Sequence, residues 1–172
     1  EQKKQVISGY MASVRFMDQQ VGRLLDALDR LEIRDSTIVV FISDHGYNLG
    51  EHDCWSKVSL WEGTVRVPMI ISWPEGAKQH GTTCKSISEL LDLYHTLADL
   101  CGLTEQQPPI LQGKSLAPVI TRGEVPAPGR VAYTTVRGGR AATIRTDRWR
   151  YTLWNQEEPA GMEELYDHRS DP

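Results

Sequence analysis

The sequence predicts an α/β fold, in which helices cover a β-sheet. Residues 6–31 place apolar side chains at spacings of three and four, the stripe of an amphipathic helix. Residues 38–42 are an apolar, β-branched run typical of a strand buried on both faces, as in a parallel sheet, and residues 67–73 form a second such run. A long helix followed directly by a strand favours helix-on-sheet packing over a coiled coil, whose stripe Gly22 would also interrupt.

A second helix is predicted downstream of these strands. Ser86 and Glu89 have the spacing of a capping box, with Ser86 as the N-cap residue. The apolar pattern then continues to Gly102, a residue suited to the position just past a helix end. His95 lies within this helix and is assigned no role, because a helical histidine is more often structural than a ligand.

The last third of the chain changes in composition. Five prolines interrupt residues 104–129 and leave room for one short helix at residues 115–121. Residues 130–137, 141–146 and 149–154 then predict strands, the last two as a hairpin. We therefore expect three parts. Residues 1–104 belong to an α/β domain, and residues 130–172 form a small β-rich subdomain with an antiparallel sheet. Residues 105–129 are a proline-rich segment that connects the two.

Bulk composition excludes several classes of protein. The chain has 172 residues, 40% of them hydrophobic, and a net charge of −4, which is unlike a nucleic-acid-binding protein. No segment is long and apolar enough to predict a membrane span. The three cysteines lack the spacing of a zinc site and are an odd number, which argues against a disulfide scaffold.

Polar residues follow the first predicted strand where it ends. Asp44 offers a hard carboxylate oxygen, His45 an imidazole nitrogen, and Gly46 a backbone free to turn. Because ligands of open α/β sheets bind beyond the carboxyl ends of strands, the pair is a candidate half of a metal site. The alternative is that Asp44 is only a turn former.

The loop that follows strengthens the metal-site interpretation. It is long and rich in reactive groups, as functional loops tend to be. Lys57 at its end provides a compact cation for an anionic substrate, although most lysines are merely solvated. The other residues of interest in this loop are Gly50, Glu51, His52 and Trp55.

Several ordered motifs resemble the second half of type I sulfatases, in particular the branch similar to iduronate-2-sulfatase and choline-sulfatase. The resemblance covers most of the chain. Its most specific segments are 43–46 (Ser-Asp-His-Gly), 49–52 (Leu-Gly-Glu-His), 55–57 (Trp-Ser-Lys), 67–70 (Val-Pro-Met-Ile), 145–151 and 164–167.

The resemblance implies a fold, a reaction and roles for individual residues. The fold would be that of the alkaline-phosphatase superfamily, a mixed sheet layered with helices plus a small C-terminal antiparallel-sheet subdomain. Asp44 and His45 would be ligands of a divalent metal, most often calcium, with magnesium as the alternative. Lys57 would contact the sulfate as a catalytic cation, and Tyr47 would face the substrate. The substrate would be a sulfate ester, such as a sulfated glycan, and the protein would be exported.

The sequence departs from the family at the nucleophile. Similar enzymes oxidise the Cys or Ser of a Cys/Ser-x-Pro/Ala-x-Arg motif to formylglycine, and none of Cys54, Cys84 and Cys101 begins that motif. The paired aspartates that supply the other metal ligands are absent too. We therefore expect a C-terminal portion of a sulfatase that is inactive alone, with the formylglycine nucleophile coming from the N-terminal half.

Two other functions stay open at this point. One is a non-catalytic, polyanion-binding module that uses the arginine-rich segment 130–150, although arginines that pair with acids elsewhere are favoured over a glycan-binding face. The other is a phosphodiesterase or phosphonate hydrolase of the same superfamily. Sulfate and phosphate are both tetrahedral anions, so Lys57 alone does not separate them.

Overall fold

The computed structural model describes residues 1–74, 81–126, 128–155 and 162–171. The predicted first helix is confirmed as α1, Gln2–Arg30, but none of its residues is buried. The helix therefore forms, while the expected packing of its apolar stripe on a sheet is not seen within the described residues. None of the described helices combines the length and the apolarity that crossing a bilayer requires.

Both predicted strands of the first part form, as β1, Val39–Ile42, and β4, Met69–Ser72. They pair with each other in antiparallel register, from Val39 opposite Ser72 to Ile42 opposite Met69. The expectation of parallel pairing and burial on both faces was wrong for these strands. They make a two-stranded sheet whose residues are half-buried or exposed, because no described element covers both faces.

Four short elements lie between these strands, one of them a 3₁₀ helix at Glu51–Asp53. The strands β2, Asn48–Leu49, and β3, Trp55–Ser56, form a small antiparallel hairpin, and the one-turn helix α2, Glu62–Val65, follows it. They occupy the stretch that sequence reasoning treated as one polar loop. Residues 43–57 are called the site loop below.

The predicted capping box at Ser86 was wrong. The helix α3, Asp92–Leu100, begins six residues later. Asp92 accepts the backbone N–H of Glu89 at 2.9 Å, while the Glu89 carboxylate accepts the backbone N–H of Tyr133 at 2.8 Å. The glutamate thus binds a strand instead of capping a helix. Gly102 has φ of 70°, confirming the predicted left-handed turn past the helix end.

The C-terminal part is a four-stranded antiparallel sheet in the order β5-β6-β7-β8, called the C-terminal sheet below. The helix α4 precedes it, and the predicted short helix, the predicted strands and their hairpin are confirmed. The fourth strand was not predicted. The bounds are α4 Ala117–Arg122, β5 Ala132–Val136, β6 Ala141–Arg145, β7 Trp149–Leu153 and β8 Glu163–Asp167.

Asp92 joins the connecting segment to the rest of the fold. Its buried carboxylate accepts the backbone N–H of Lys114 at 2.8 Å and forms an ion pair with Arg130. Thr96 on the same helix accepts the backbone N–H of Leu116 at 2.9 Å. Buried polar groups need such partners, so α3 holds the connecting segment by hydrogen bonds as well as by packing. The division at residues 104 and 129 stays a prediction.

Candidate functional site

The start of the site loop runs along the backbone of α2. Gly46 donates its N–H to the carbonyl of Thr64 at 2.8 Å, and Tyr47 donates to that of Gly63 at 3.1 Å. A Cβ at position 46 would lie 2.0 Å from the Gly63 oxygen, which is closer than any real contact. Glycine is therefore required at position 46 for this close approach of two backbone segments.

His45 is held in one tautomer by its own neighbour. Its Nδ1 lies 2.8 Å from the Gly46 carbonyl oxygen. A carbonyl only accepts hydrogen bonds, so Nδ1 carries the proton and Nε2 keeps its lone pair. Nε2 lies 3.7 Å from Oδ2 of Asp44, whose Oδ1 accepts the His45 backbone N–H at 3.0 Å. A lone pair and a carboxylate oxygen are thus adjacent at the end of β1.

These two groups fit part of a metal site. The Asp44 side chain is 85% exposed, so its second oxygen is available to a ligand. A hydrogen bond from the distal ring nitrogen to a backbone carbonyl is the usual support of a metal-binding histidine. Within the described ranges no group of three or more His, Cys, Asp or Glu residues is arranged to hold an ion. Asp44 and His45 are therefore two candidate donors, one short of such a group.

The hairpin in the site loop places Tyr47 and Lys57 at the same end. Asn48 pairs with Ser56, and the residues just outside that pair are Tyr47 and Lys57. The Tyr47 ring packs 5.4 Å from the ring of Tyr10 on α1 and is partly exposed. Lys57 is exposed, and no acid of the described residues forms an ion pair with it. Tyr47 and Lys57 thus flank the same end of the hairpin.

A buried network of side chains supports the hairpin. Asn48 donates to the hydroxyl of Ser59 at 3.1 Å, and that hydroxyl lies 2.5 Å from the hydroxyl of Thr64. All three residues are buried. This network ties β2 to α2 beneath the candidate ligands.

Three residues of the site loop, one acidic and two aromatic, have structural roles. Glu51 accepts the backbone N–H of Leu49 at 2.5 Å, and bonds from its own backbone N–H and from that of Leu49 lower the pKa of its carboxyl. His52 stacks on Trp61, with ring centroids 4.2 Å apart and planes 6° apart. Trp55 packs against Gly50, whose φ of 117° favours glycine.

Sequence reasoning missed a charged cluster next to the loop. Glu62 on α2 forms ion pairs with Arg145 at 2.9 Å and Arg150 at 3.2 Å, and Nε2 of His168 lies 3.4 Å from its carboxylate. Burial raises the pKa of Glu62, but the hydrogen bond from Arg145 and the charge of Arg150 outweigh it and lower the pKa. The partners lie more than eighty residues away in sequence, so no local spacing points to them.

At least four of the six arginines of segment 130–150 pair with acids, as expected, among them Arg130 with Asp92. Arg145 and Arg150 bind Glu62. Arg148 forms a bidentate ion pair with the Asp167 carboxylate, with a shortest N–O distance of 2.6 Å. These guanidinium groups are therefore not free to bind a polyanion.

The family model described as Sulfatase matches residues 1–103. The chain belongs to the sulfatase family. A choline-sulfatase from Rhizobium meliloti is 35% identical over 165 residues, covering 95% of this chain and 31% of that protein. Human iduronate 2-sulfatase is 38% identical over 130 residues, covering 62% of this chain and 23% of that protein. The chain spans about a third of the length of the relatives matched along most of it.

Solved structures agree with this assignment. A protein in complex with its substrate D-glucosamine-2-N,6-O-disulfate superposes with a TM-score of 0.77 at 33% identity, covering 90% of this chain and 32% of that one. A phosphonate monoester hydrolase of Agrobacterium radiobacter superposes with a TM-score of 0.74 at 26% identity, covering 90% of this chain and 33% of that one. The predicted α/β class and alkaline-phosphatase-like fold are confirmed. The family implies a divalent metal and a formylglycine.

Proposed function

We propose that this chain supplies the metal- and sulfate-binding residues of a sulfuric ester hydrolase. The observation that carries the proposal is the contact of His45 Nδ1 with the Gly46 carbonyl, which leaves Nε2 as the outer ring nitrogen, 3.7 Å from the Asp44 carboxylate. Asp44 and His45 are the proposed ligands of the divalent ion. Calcium is the proposed metal, with magnesium as the alternative, because an exposed carboxylate is a hard oxygen donor.

A bound ion would stabilise negative charge on the sulfate oxygens. Lys57 is proposed to bind those oxygens and to place a second positive charge where negative charge develops in the transition state. Its exposure and lack of an acidic partner among the described residues support this role. Tyr47 is proposed to contact the substrate beside it. The nucleophile would come from sequence outside this chain, since no cysteine here begins the formylglycine motif.

The proposed substrate is a sulfated glycan. Support comes from the substrate of a similar solved protein, D-glucosamine-2-N,6-O-disulfate. The similar phosphonate monoester hydrolase keeps phosphonate esters as the competing substrate class, although the family match and the named relatives favour sulfate. A polyanion-binding module is not favoured, since at least four of the six arginines it would use pair with acids. Export stays a prediction.

Manganese titration of the ¹⁵N-labelled chain tests the metal site, because Mn²⁺ accepts oxygen and imidazole ligands and broadens nearby NMR signals. We expect the signals of Asp44 and His45 to broaden first, and Asp44→Asn to abolish that preference. Asp35→Asn, which changes another exposed carboxylate, is the matched control and should leave it intact. Broadening of equal strength at Asp35 and Asp44 would contradict the proposal.

A further inference from the structure

The geometry of the site loop depends on the segment that contains α2. Two backbone hydrogen bonds hold the loop beside His45 to this segment. Gly46 donates its N–H to the Thr64 carbonyl, and Tyr47 donates its N–H to the Gly63 carbonyl. The Gly46 carbonyl in turn holds Nδ1 of His45. Movement of α2 would therefore move the atom that sets the tautomer of the histidine.

The C-terminal sheet holds this segment from the other side. Arg150 on β7 donates to the Leu60 carbonyl at 3.4 Å, and Trp61 donates its indole N–H to Glu164 on β8 at 3.0 Å. The Trp61 ring also packs 4.9 Å from the ring of Trp154. The two residues just before α2 are thus bonded to strands about ninety residues or more away.

Glu62 is the centre of this attachment. It is the first residue of α2 and its carboxylate is shared by Arg145, Arg150 and His168. The side chains of Arg150 and His168 are 4% and 8% exposed. Because water is largely excluded there, loss of the carboxylate charge would leave two guanidinium groups facing each other without compensation.

We propose that Glu62 is a positioning residue through which the C-terminal sheet sets the geometry of the candidate metal ligands. This assignment rests on the proposed function for its consequence, the placement of Asp44 and His45. The chain of contacts runs from Arg145 and Arg150 to Glu62, then through the Gly63 and Thr64 carbonyls to the site loop. The C-terminal sheet is therefore part of the support of the site, although none of its residues belongs to the predicted ligands.

Amide hydrogen exchange in the 172-residue chain tests the proposal. In Glu62→Gln, which keeps the shape and removes the charge, we expect the Gly46 and Tyr47 amides to exchange about tenfold faster or more. The amide of Leu97 in α3 reports global opening and should change less. Glu124→Gln is the matched control, because Glu124 also pairs with an arginine, Arg122, at an exposed site away from the loop.

A spectroscopic readout separates positioning from general stability. The ¹⁵N shifts of His45 should report the Nδ1–H tautomer in the wild type and a mixture of tautomers in Glu62→Gln. Unchanged exchange at Gly46 and Tyr47 in folded Glu62→Gln would overturn the proposal. So would an equal acceleration at Leu97 with no change in the His45 shifts.

A second variant covers the case in which Glu62→Gln does not fold. Trp61→Phe removes the bond to Glu164 and keeps an aromatic ring. This variant should accelerate hydrogen exchange of the Gly46 and Tyr47 amides by a smaller factor than Glu62→Gln does. Exchange of these amides at the wild-type rate would count against the proposal. If manganese fails to broaden Asp44 and His45 in the wild type, the proposed function fails while this exchange result stands on its own.

Discussion

The Asp44 side chain in the site loop is 85% exposed, whereas that of Arg150 in the C-terminal sheet is 4% exposed. Lys57, in the same loop as Asp44, forms no ion pair within the described part of the chain. Arg150 and Arg145 share one carboxylate, that of Glu62. These charged groups of the site loop are thus exposed to solvent, whereas Arg150 of the C-terminal sheet is buried and paired.

The difference separates charges available to a ligand from charges used to hold the fold. A buried guanidinium must be paired, since an uncompensated buried charge costs several kcal/mol. An exposed carboxylate and an exposed ammonium keep their binding capacity because water is easily displaced from them. Function is therefore expected at Asp44 and Lys57, and stability is expected to depend on Arg150 and Glu62.

The largest expected effect is on the free energy of unfolding of Arg150→Ala. Removing one partner of a buried ion pair should cost about 3–5 kcal/mol, measured by urea denaturation. Arg148→Ala is the matched control on the same sheet, because the Arg148 side chain is 42% exposed, and it should cost much less. Equal losses in the two variants would break the distinction between buried and exposed charge.

A smaller effect is expected on the pH dependence of stability. Burial lowers the pKa of His168. The nearby charges of Arg145 and Arg150 lower it further, and those of Glu62 and Asp171 raise it in part. The folded pKa lies below the unfolded value of 6.5, so the unfolded chain binds more protons as the pH falls through that value. The His168 contribution is therefore lost on acidification.

Urea denaturation of wild type and His168→Gln at about pH 7.5 and about pH 5.5 measures this contribution. Wild type should lose stability between the two values, and the variant should lose less. A variant with the same pH dependence as the wild type would show that His168 does not titrate in this environment.

The smallest expected effect is on the stability of Asp44→Asn. The side chain is exposed and the new amide oxygen still accepts the His45 N–H, so the free energy of unfolding should change by less than about 0.5 kcal/mol. Asn48→Ala in the same loop removes a buried hydrogen-bonding side chain and should cost about 1–3 kcal/mol. A large loss in Asp44→Asn, again by urea denaturation, would show that Asp44 is structural.

Most elements could be predicted because their signals are local. The stripe of α1 and the apolar run of β1 each lie within one stretch of sequence, and the structure contains both. The position of Asp44 and His45 just after β1 follows from the same run. The capping box failed because Glu89 bonds instead to Tyr133, forty-four residues away. The antiparallel pairing of β1 with β4 was missed because composition does not determine the direction of a partner strand.

The sequence by itself determined the α/β class, the family and the candidate ligands, because these depend on residue types in short ordered segments. Only the tertiary structure decided the tautomer of His45 and the attachment of Glu62 to the C-terminal sheet. A tautomer depends on one hydrogen bond of defined geometry, and the Glu62 pairs join residues more than eighty positions apart. Neither leaves a spacing that can be read along the chain, since the first depends on the backbone geometry at Gly46, which its bond to Thr64 fixes, and the second joins distant segments.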